Sequence, residues 1–342
     1  RNTRIINTYF FTEVFTVKIN MKTISQITGY SQSTISNVLN NKKGTNRKTA
    51  EEILKVAKEI GYLNTPKIEN IKLVFFKKSG KVLTETPLIN ELIDGIVSEA
   101  RDNGLDTILF NIQENDDDYK EKFDSLFTDR NSGIILLATE LSENDLLPFQ
   151  KICCPLVVLD AWFDRFLFDT VLMNNYDSFI TSTRFLIENG HTKIGFLGSQ
   201  IQIKNFYYRE QGFRDALEKY ECSIDEDLFI YLDPTLNGSY ESMKNYLESS
   251  PLKMATAYCA VNDIVALGAL KAFQEYGYKI PDDISIIGFD NMPFGEISSP
   301  SLTTMNVPKR ALGELAVKRL IEQSNKGNYT PCKTELLTSL II

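Results

Sequence analysis

Histidine is almost missing from this chain: a single residue, His191, stands among 342. A Ser–His or Cys–His catalytic apparatus would need that one imidazole, and no such constellation surrounds it. Tryptophan is equally scarce, with Trp162 alone. The five cysteines, two of them adjacent at Cys153 and Cys154, show neither metal-ligand spacing nor an even-numbered disulfide framework. Small buried apolar thiols in a reducing cytoplasmic setting are the expectation. No glycine-rich loop of the phosphate-cradling kind follows a predicted strand. No apolar run reaches bilayer length, so no membrane association is expected, and no small-residue cleavage site marks a signal peptide. No cofactor or metal is expected, and an enzyme is left with paired carboxylates as its only acid–base apparatus.

What the chain does contain is a soluble globular composition, with 43% hydrophobic and 24% charged residues over a length suited to two or three folding units. The net charge of −8 hides a division. Residues 1–70 carry 11 Lys or Arg against 5 Asp or Glu, and the remaining residues carry 26 against 40. A small basic head on an acidic body suits a polyanionic partner for the head alone.

Within the head, GYSQSTISNVLNN at 29–41 is dense in short hydroxyl and amide side chains. Gly29 separates two helical patterns, Thr23–Thr28 with an apolar stripe of Ile24 and Ile27, and Ser31–Asn40 with Ile35, Val38 and Leu39. Ser31 is placed to cap the second helix, whose outer face carries Gln32, Ser33, Ser36 and Asn37. A slim polar helix of this kind can lie deep in a DNA major groove, where amides read base edges and hydroxyls reach phosphates. A third helix is predicted from the Asn46 cap through Ile53, Leu54, Val56, Ala57 and Ile60 to a stop at Gly61, closing a three-helix bundle. The alternative for the pattern alone is a helical hairpin whose polar face meets only water.

NMKTISQITGYSQSTISNVLN and NRKTAEEILKVAKEIGY together resemble, without a gap inside either block, the DNA-binding head of the lactose-repressor/galactose-repressor (LacI/GalR) family. The resemblance implies that Gln32 and Ser33 read bases at the start of the recognition helix and Asn37 further along. It implies phosphate contacts for Ser31, Thr34 and Ser36. Tyr30 stands where the family usually has Val, and Ala50 where it has Arg. Family members continue into a hinge helix, whereas here Tyr62 is followed by LNTPKIEN, a linker at 63–70 too short to repeat it; Pro66 also disfavours helix at Thr65. Ile68 is expected to pack on the body rather than wedge open a minor-groove step. Residues 1–20 precede the family's start and are read as an extension, translated from an upstream position or forming a short strand. The DNA-binding domain is placed at 21–62.

From Ile71 to Ile342 short apolar runs alternate with amphipathic helical patterns: IKLVFF, TILFN, GIILLA and PLVVLD in one series, IGFLG, LFIYLD, TAYCAV and ISIIGFD in a second. Alternation of this kind indicates parallel βα units, here two doubly wound parallel-sheet subdomains of α/β class. Ligands gather at the carboxyl ends of such strands, so a cleft between two lobes is the expected site. Asp160, Asn262 with Asp263, and Asp290 stand at strand ends. The alternative for each is a helix or turn cap, which is the expectation for Asp263.

The LacI/GalR resemblance extends over the body through TPLINELIDGI, GHTKIGFLG, REQGFRDAL and AVNDIVALGALKAFQEYGYKIPDDISIIGFDN. It implies a periplasmic-binding-protein-like body for effector binding and dimerisation, with Asp160, Arg209, Asn262 and Asp290 on effector hydroxyls or carboxylates. Leu88 replaces an often aromatic wall residue. Carboxylates and amides can exchange hydrogen bonds with sugar hydroxyls, and an Arg fork can grip two oxygens. Trp162 is placed to stack on a pyranose face and Asn205 to reach the cleft, with packing and loop roles as their alternatives. The leading expectation is a homodimeric repressor of operator DNA controlled by a small effector, a sugar or related metabolite. The alternative is a sugar receptor with no DNA role, against which the reader head argues. Inducer or corepressor, and dimer or tetramer, stay open at this point.

Overall fold

The computed structural model describes residues 21–39, 45–59, 68–83, 88–128, 131–152, 154–249, 253–325 and 329–342. The extension at 1–20, the Gly61 stop and linker positions 63–67 lie outside the described residues. Two compact units divide near Pro66 and Lys67.

The head holds three helices, α1 (Met21–Thr28), α2 (Gln32–Leu39) and α3 (Arg47–Glu59). Ile24, Ile35, Val38, Ile53 and Ala57 are buried together as its core. Gly29 makes the turn at φ 74°, a left-handed conformation in which a side chain is strained. Its N–H donates to the Ser25 carbonyl at 2.9 Å. Ser31 Oγ caps α2 by accepting from the Thr34 N–H at 3.1 Å, and Asn46 Oδ1 caps α3 by accepting from the Lys48 N–H at 3.0 Å. Ile27 departs from the expected stripe and is 55% exposed. It lies about 60° around the helix from Ile24, and Ile24 alone fills the gap between α2 and α3.

The body begins with β1 (Asn70–Lys77), α4 (Leu88–Asp102), β2 (Asp106–Gln113), α5 (Tyr119–Thr128), β3 (Ser132–Leu137), α6 (Glu143–Leu146), β4 (Leu156–Leu159) and β5 (Asp169–Met173). A second series follows as α7 (Asn175–Glu188), β6 (Ile194–Ser199), α8 (Lys204–Lys219), β7 (Phe229–Leu232), α9 (Leu236–Glu248), β8 (Ala257–Ala260), α10 (Asp263–Glu275), β9 (Ser285–Asp290), α11 (Pro293–Ile297) and β10 (Thr303–Asn306). The chain closes with α12 (Lys309–Asn325), β11 (Lys333–Leu336) and β12 (Ser339–Ile341).

Each series supplies five strands of a six-stranded sheet that β11 or β12 completes, in the order β2-β1-β3-β4-β5-β11 for lobe 1 and β7-β6-β8-β9-β10-β12 for lobe 2. Every pairing is parallel except β10 with β12. Strands β3, β4, β6 and β8 are buried along their whole length, as helices on both faces of a parallel sheet require. The chain passes between the sheets three times, from β5 to α7, from β10 to α12 and from β11 to β12. Helix α12 returns to lobe 1 and crosses α4 closely: a Cβ on Gly95 would stand 2.1 Å from the Arg310 carbonyl oxygen, and one on Gly313 2.3 Å from that of Leu92.

Strands β5, β10, β11 and β12 were not anticipated by the alternating pattern. Strand β5 opens on a buried carboxylate, Asp169, which accepts from Arg319 Nη2 at 2.9 Å, Gln323 Nε2 at 2.8 Å and the Cys332 N–H at 3.0 Å. An acidic residue at a strand start reads as a turn until those partners from α12 and the approach to β11 are known. The segment after β3 is α6 followed by a 3-10 turn at Leu147–Lys151, because Pro148 has no N–H to continue α6. Ile68 is 7% exposed and packs in the body core, as expected of it.

Candidate functional site

In the head, the polar face of α2 is open to solvent. Gln32, Ser33 and Asn37 are exposed, as is Ser31, while Thr34 and Ser36 are half-buried. Ser31 serves two purposes: beyond its cap, its Oγ lies 2.8 Å from Ser33 Oγ and 2.9 Å from Thr34 Oγ1. Tyr30 turns its hydroxyl to Glu52 at 2.9 Å, tying the turn to α3.

In the body, the carboxyl ends of both sheets meet at a cavity of about 30 Å³, room for roughly two water molecules. Asp160, Asn205, Arg209, Asn262 and Asp290 all line it, with Thr139, Ile203 and Phe206. Larger hollows of about 400 and 490 Å³ lie elsewhere on lobe 2, but no buried charged side chain lines either. The convergence of buried charge favours the smaller cavity as the site.

Each polar group is delivered by a strand end or by a helix that follows one. Asp160 leaves β4 at φ 63° and Asp290 ends β9 at φ 116°, two non-glycine residues held in the left-handed region. Backbone strain of this kind persists where surrounding structure fixes it, commonly at binding sites. Thr139 Oγ1 donates to Asp160 Oδ2 at 2.5 Å. From lobe 2, Asn205 Nδ2 donates to Asp160 Oδ1 at 2.8 Å and to its carbonyl at 2.9 Å. Arg209 is 3% exposed. Its Nε donates to Asn175 Oδ1 and its Nη1 to the Val261 carbonyl, both at 2.8 Å. Its guanidinium carbon lies 3.7 Å from the centre of the Phe289 ring. Asp290 is 4% exposed, and its carboxylate makes no hydrogen bond or ion pair among the described residues.

Burial drives the electrostatics. The Asp290 carboxyl is pushed up to about 6 by desolvation, against the lowering influence of Arg209 and Lys309. Desolvation raises Asp160 as well, with Thr139, Arg209 and Asn205 pulling the other way. Asp263 is pushed up to about 7, by desolvation first and then by Asp290.

Two expectations need revision. Asn262, not Asp263, caps α10, its Oδ1 accepting from the Val265 N–H at 3.0 Å. Asp263 instead turns inward, accepting from Thr304 Oγ1 at 2.6 Å and the Met292 N–H at 2.7 Å. Trp162 is not at the cavity: Lys333 Nζ sits 3.9 Å above its ring and the Tyr208 ring lies 6.1 Å away. The lysine covers one face of the ring. Leu88 opens α4, but its side chain lies outside the described residues.

Sequence reading missed Asn175, which accepts from Arg209 and donates to Asn205 Oδ1 at 3.1 Å. It joins the two lining residues of α8 from the first position of α7, where neither periodicity nor a strand end signals it. The site thus offers carboxylate acceptors from both lobes, an Arg fork and the Asn262 amide in a nearly dry space. These groups match hydroxyls or similar polar groups, and a space of this size admits a solute carrying them only when the lobes part.

Residues 183–342 match the periplasmic binding protein-like domain family. Over 315 residues, 90% of this chain and 93% of the relative, the sequence is 30% identical to the HTH-type transcriptional repressor PurR of Histophilus somni (strain 129Pt). The chain belongs to the LacI family, whose members are transcriptional regulators and not enzymes. A second relative, the HTH-type transcriptional repressor PurR of Pasteurella multocida (strain Pm70), is 29% identical over 94% of this chain and 97% of its own. The fold is shared with the transcriptional regulator CelR in its cellobiose complex, at TM-score 0.71 and 22% identity, covering 95% of this chain and 98% of that one. It is shared too with the lac repressor dimer bound to operator and the anti-inducer ONPF, at 0.69 and 21% over the same shares. Among the described residues no helix is long and apolar enough to cross a membrane.

Proposed function

We propose that this chain is a homodimeric repressor that reads operator DNA with α2 and senses a small polyhydroxyl solute between its lobes. Gln32, Ser33 and Asn37 contact base edges, and Ser31, Thr34 and Ser36 contact phosphates. Residues 21–62 form the reading domain, 63–70 the linker and 71–342 the sensing and pairing domain. Exposed Ile108 and Leu109 on lobe 1 and Phe294 and Ile297 on lobe 2 support self-association, since apolar side chains this open to water favour a partner.

The observation that carries the sensing role is the buried pair of unlike charges at the cavity, Arg209 held by Asn175 and Val261 while the Asp290 carboxylate makes no hydrogen bond among the described residues. A solute with adjacent hydroxyls satisfies Asp290 and Asp160 as acceptors and Arg209 as donor. By binding one lobe separation better than another, it shifts the population of lobe angles and with it the spacing of two paired heads.

The test is retention of the protein on its own upstream DNA at fixed salt, with and without each member of a panel of sugars and nucleobases. Salt-sensitive, sequence-specific retention altered by one solute class is expected, and the direction of the change assigns inducer or corepressor. Absence of specific retention on any upstream fragment overturns the DNA role.

A further inference from the structure

The three passages between sheets all involve β5, β10, β11 and β12, which gather at one end of both strand orders. The opposite end is where the lobes are free to part. Among the described residues one ion pair spans them there: Lys81, in the loop after β1, donates through Nζ to Oδ2 of Asp233, just beyond β7, at 2.9 Å. Strand β7 is the outermost strand of lobe 2, and β1 lies one strand in from the edge of lobe 1. An attraction this far from the passages acts with a long lever.

Both partners are held in advance. The loop carrying Lys81 wraps around Glu140, whose Oε2 accepts from the N–H groups of Lys78, Ser79 and Gly80 at 3.0, 2.9 and 2.8 Å. Its Oε1 accepts from the Val82 N–H at 3.0 Å and Ser79 Oγ at 3.2 Å. Asp233 spends its other oxygen, Oδ1, on the Thr235 N–H at 3.0 Å and Thr235 Oγ1 at 2.6 Å. Oδ2 is therefore aimed while the turn into α9 stays capped. Anchoring both ends lowers the ordering entropy that usually cancels a surface ion pair. The next residues along the same loop, Val82 and Leu83, are buried and line the cavity, so any movement of Lys81 moves the cavity wall.

We propose that Lys81 and Asp233 form a latch across the mouth of the cleft, which sets how often the lobes part and so how readily a solute enters. Its side chains are 53% and 23% exposed, so the attraction is screened by salt and weak enough to break on every opening. The latch rests on the reading of the cavity as a solute site only for its consequence. Lobe motion itself is measured here without DNA or solute, so a failed latch and a failed repressor reading give separate results.

The full chain carries its own reporter, because the one tryptophan sits on lobe 1 beside Tyr208 of lobe 2. Acrylamide quenching of Trp162 and small-angle scattering are compared for the native chain, Lys81→Met, Asp233→Asn, the double variant and Lys81→Arg. Asp233→Asn keeps an oxygen for Thr235, and circular dichroism checks that each variant is folded. Each charge-removing single variant is expected to raise the open-to-closed ratio about two- to fivefold, the range for a partly exposed pair. The double variant opens no further than either single, Lys81→Arg stays closed, and about 1 M sodium chloride brings the native chain level with the variants. Additive single effects, folded single variants indistinguishable from the native chain, or equal salt responses in all of them overturn the latch.

Discussion

Gln32, Ser33 and Asn37 of the head are exposed to solvent, whereas Asp160, Arg209, Asn262 and Asp290 of the body are all more than nine-tenths buried. The head offers its polar groups still hydrated, so their cost of desolvation arises only on binding and their removal leaves the bundle core of Ile24, Ile35 and Ile53 untouched. The body has desolvated its polar groups during folding, and Asp160 and Arg209 depend on buried neighbours, Asn205 and Asn175, for hydrogen bonds. Recognition and stability are therefore separable in one region and entangled in the other.

Arg209→Ala tests the entanglement most severely. It removes bonds to Asn175 and Val261 and leaves two buried carboxylates without their cation. The body is expected to lose about 3–5 kcal/mol, read as a lower thermal midpoint, together with all solute response. Operator affinity measured below that midpoint stays within a few-fold of native. A midpoint equal to the native one breaks the contrast between the two regions.

Asp290→Asn gives a pH signature. The native carboxyl titrates near 6 in the fold against an ordinary value of 3.8, so protonation favours folding. The contribution is fully present below about pH 4 and is lost as pH rises through about 6. The variant never ionises there, so at pH 7.5 it should exceed the native chain by up to about 2–3 kcal/mol, converging with it near pH 4. Denaturant melts at both pH values check this, and a constant offset would mean the carboxylate is better solvated than its burial suggests.

Gln32→Ala is expected to have the smallest effect on stability, within about 0.5 kcal/mol, while removing about 1–3 kcal/mol of discrimination at one base pair. Binding-site selection on randomised DNA reads the second quantity. Uniform weakening across all sequences would move Gln32 to the phosphate contacts and blur the division of labour within α2.

Much of this arrangement was legible because its signals are local. The period of Ile35 and Val38 placed the exposed face of α2, and apolar runs such as GIILLA and ISIIGFD gave buried strands with polar residues where they stop. Asp160 and Asp290 could be found that way. Local signals failed where a partner distant in sequence decides the outcome. Asp169 looks like a turn residue until Arg319 and Gln323 arrive from α12, and Trp162 looks like a sugar platform until Lys333 covers it. Asp263 yields its expected cap to Asn262 because Thr304, forty-one residues away, claims its carboxylate. Strands β11 and β12 are short and half-exposed edges with no hydrophobic alternation to betray them.

Those two strands also bear on how the molecule is made. Lobe 1 has five of its six strands by Met173, yet its outer place next to β5 is filled by Lys333–Leu336, and three residues later the chain supplies the last edge of lobe 2 as well. During synthesis both five-stranded sheets must wait with an open rim until residues 333–341 leave the ribosome. That interval exposes unpaired backbone and favours chaperone capture. Two late strands, one to each sheet, make completion of the body a single late event.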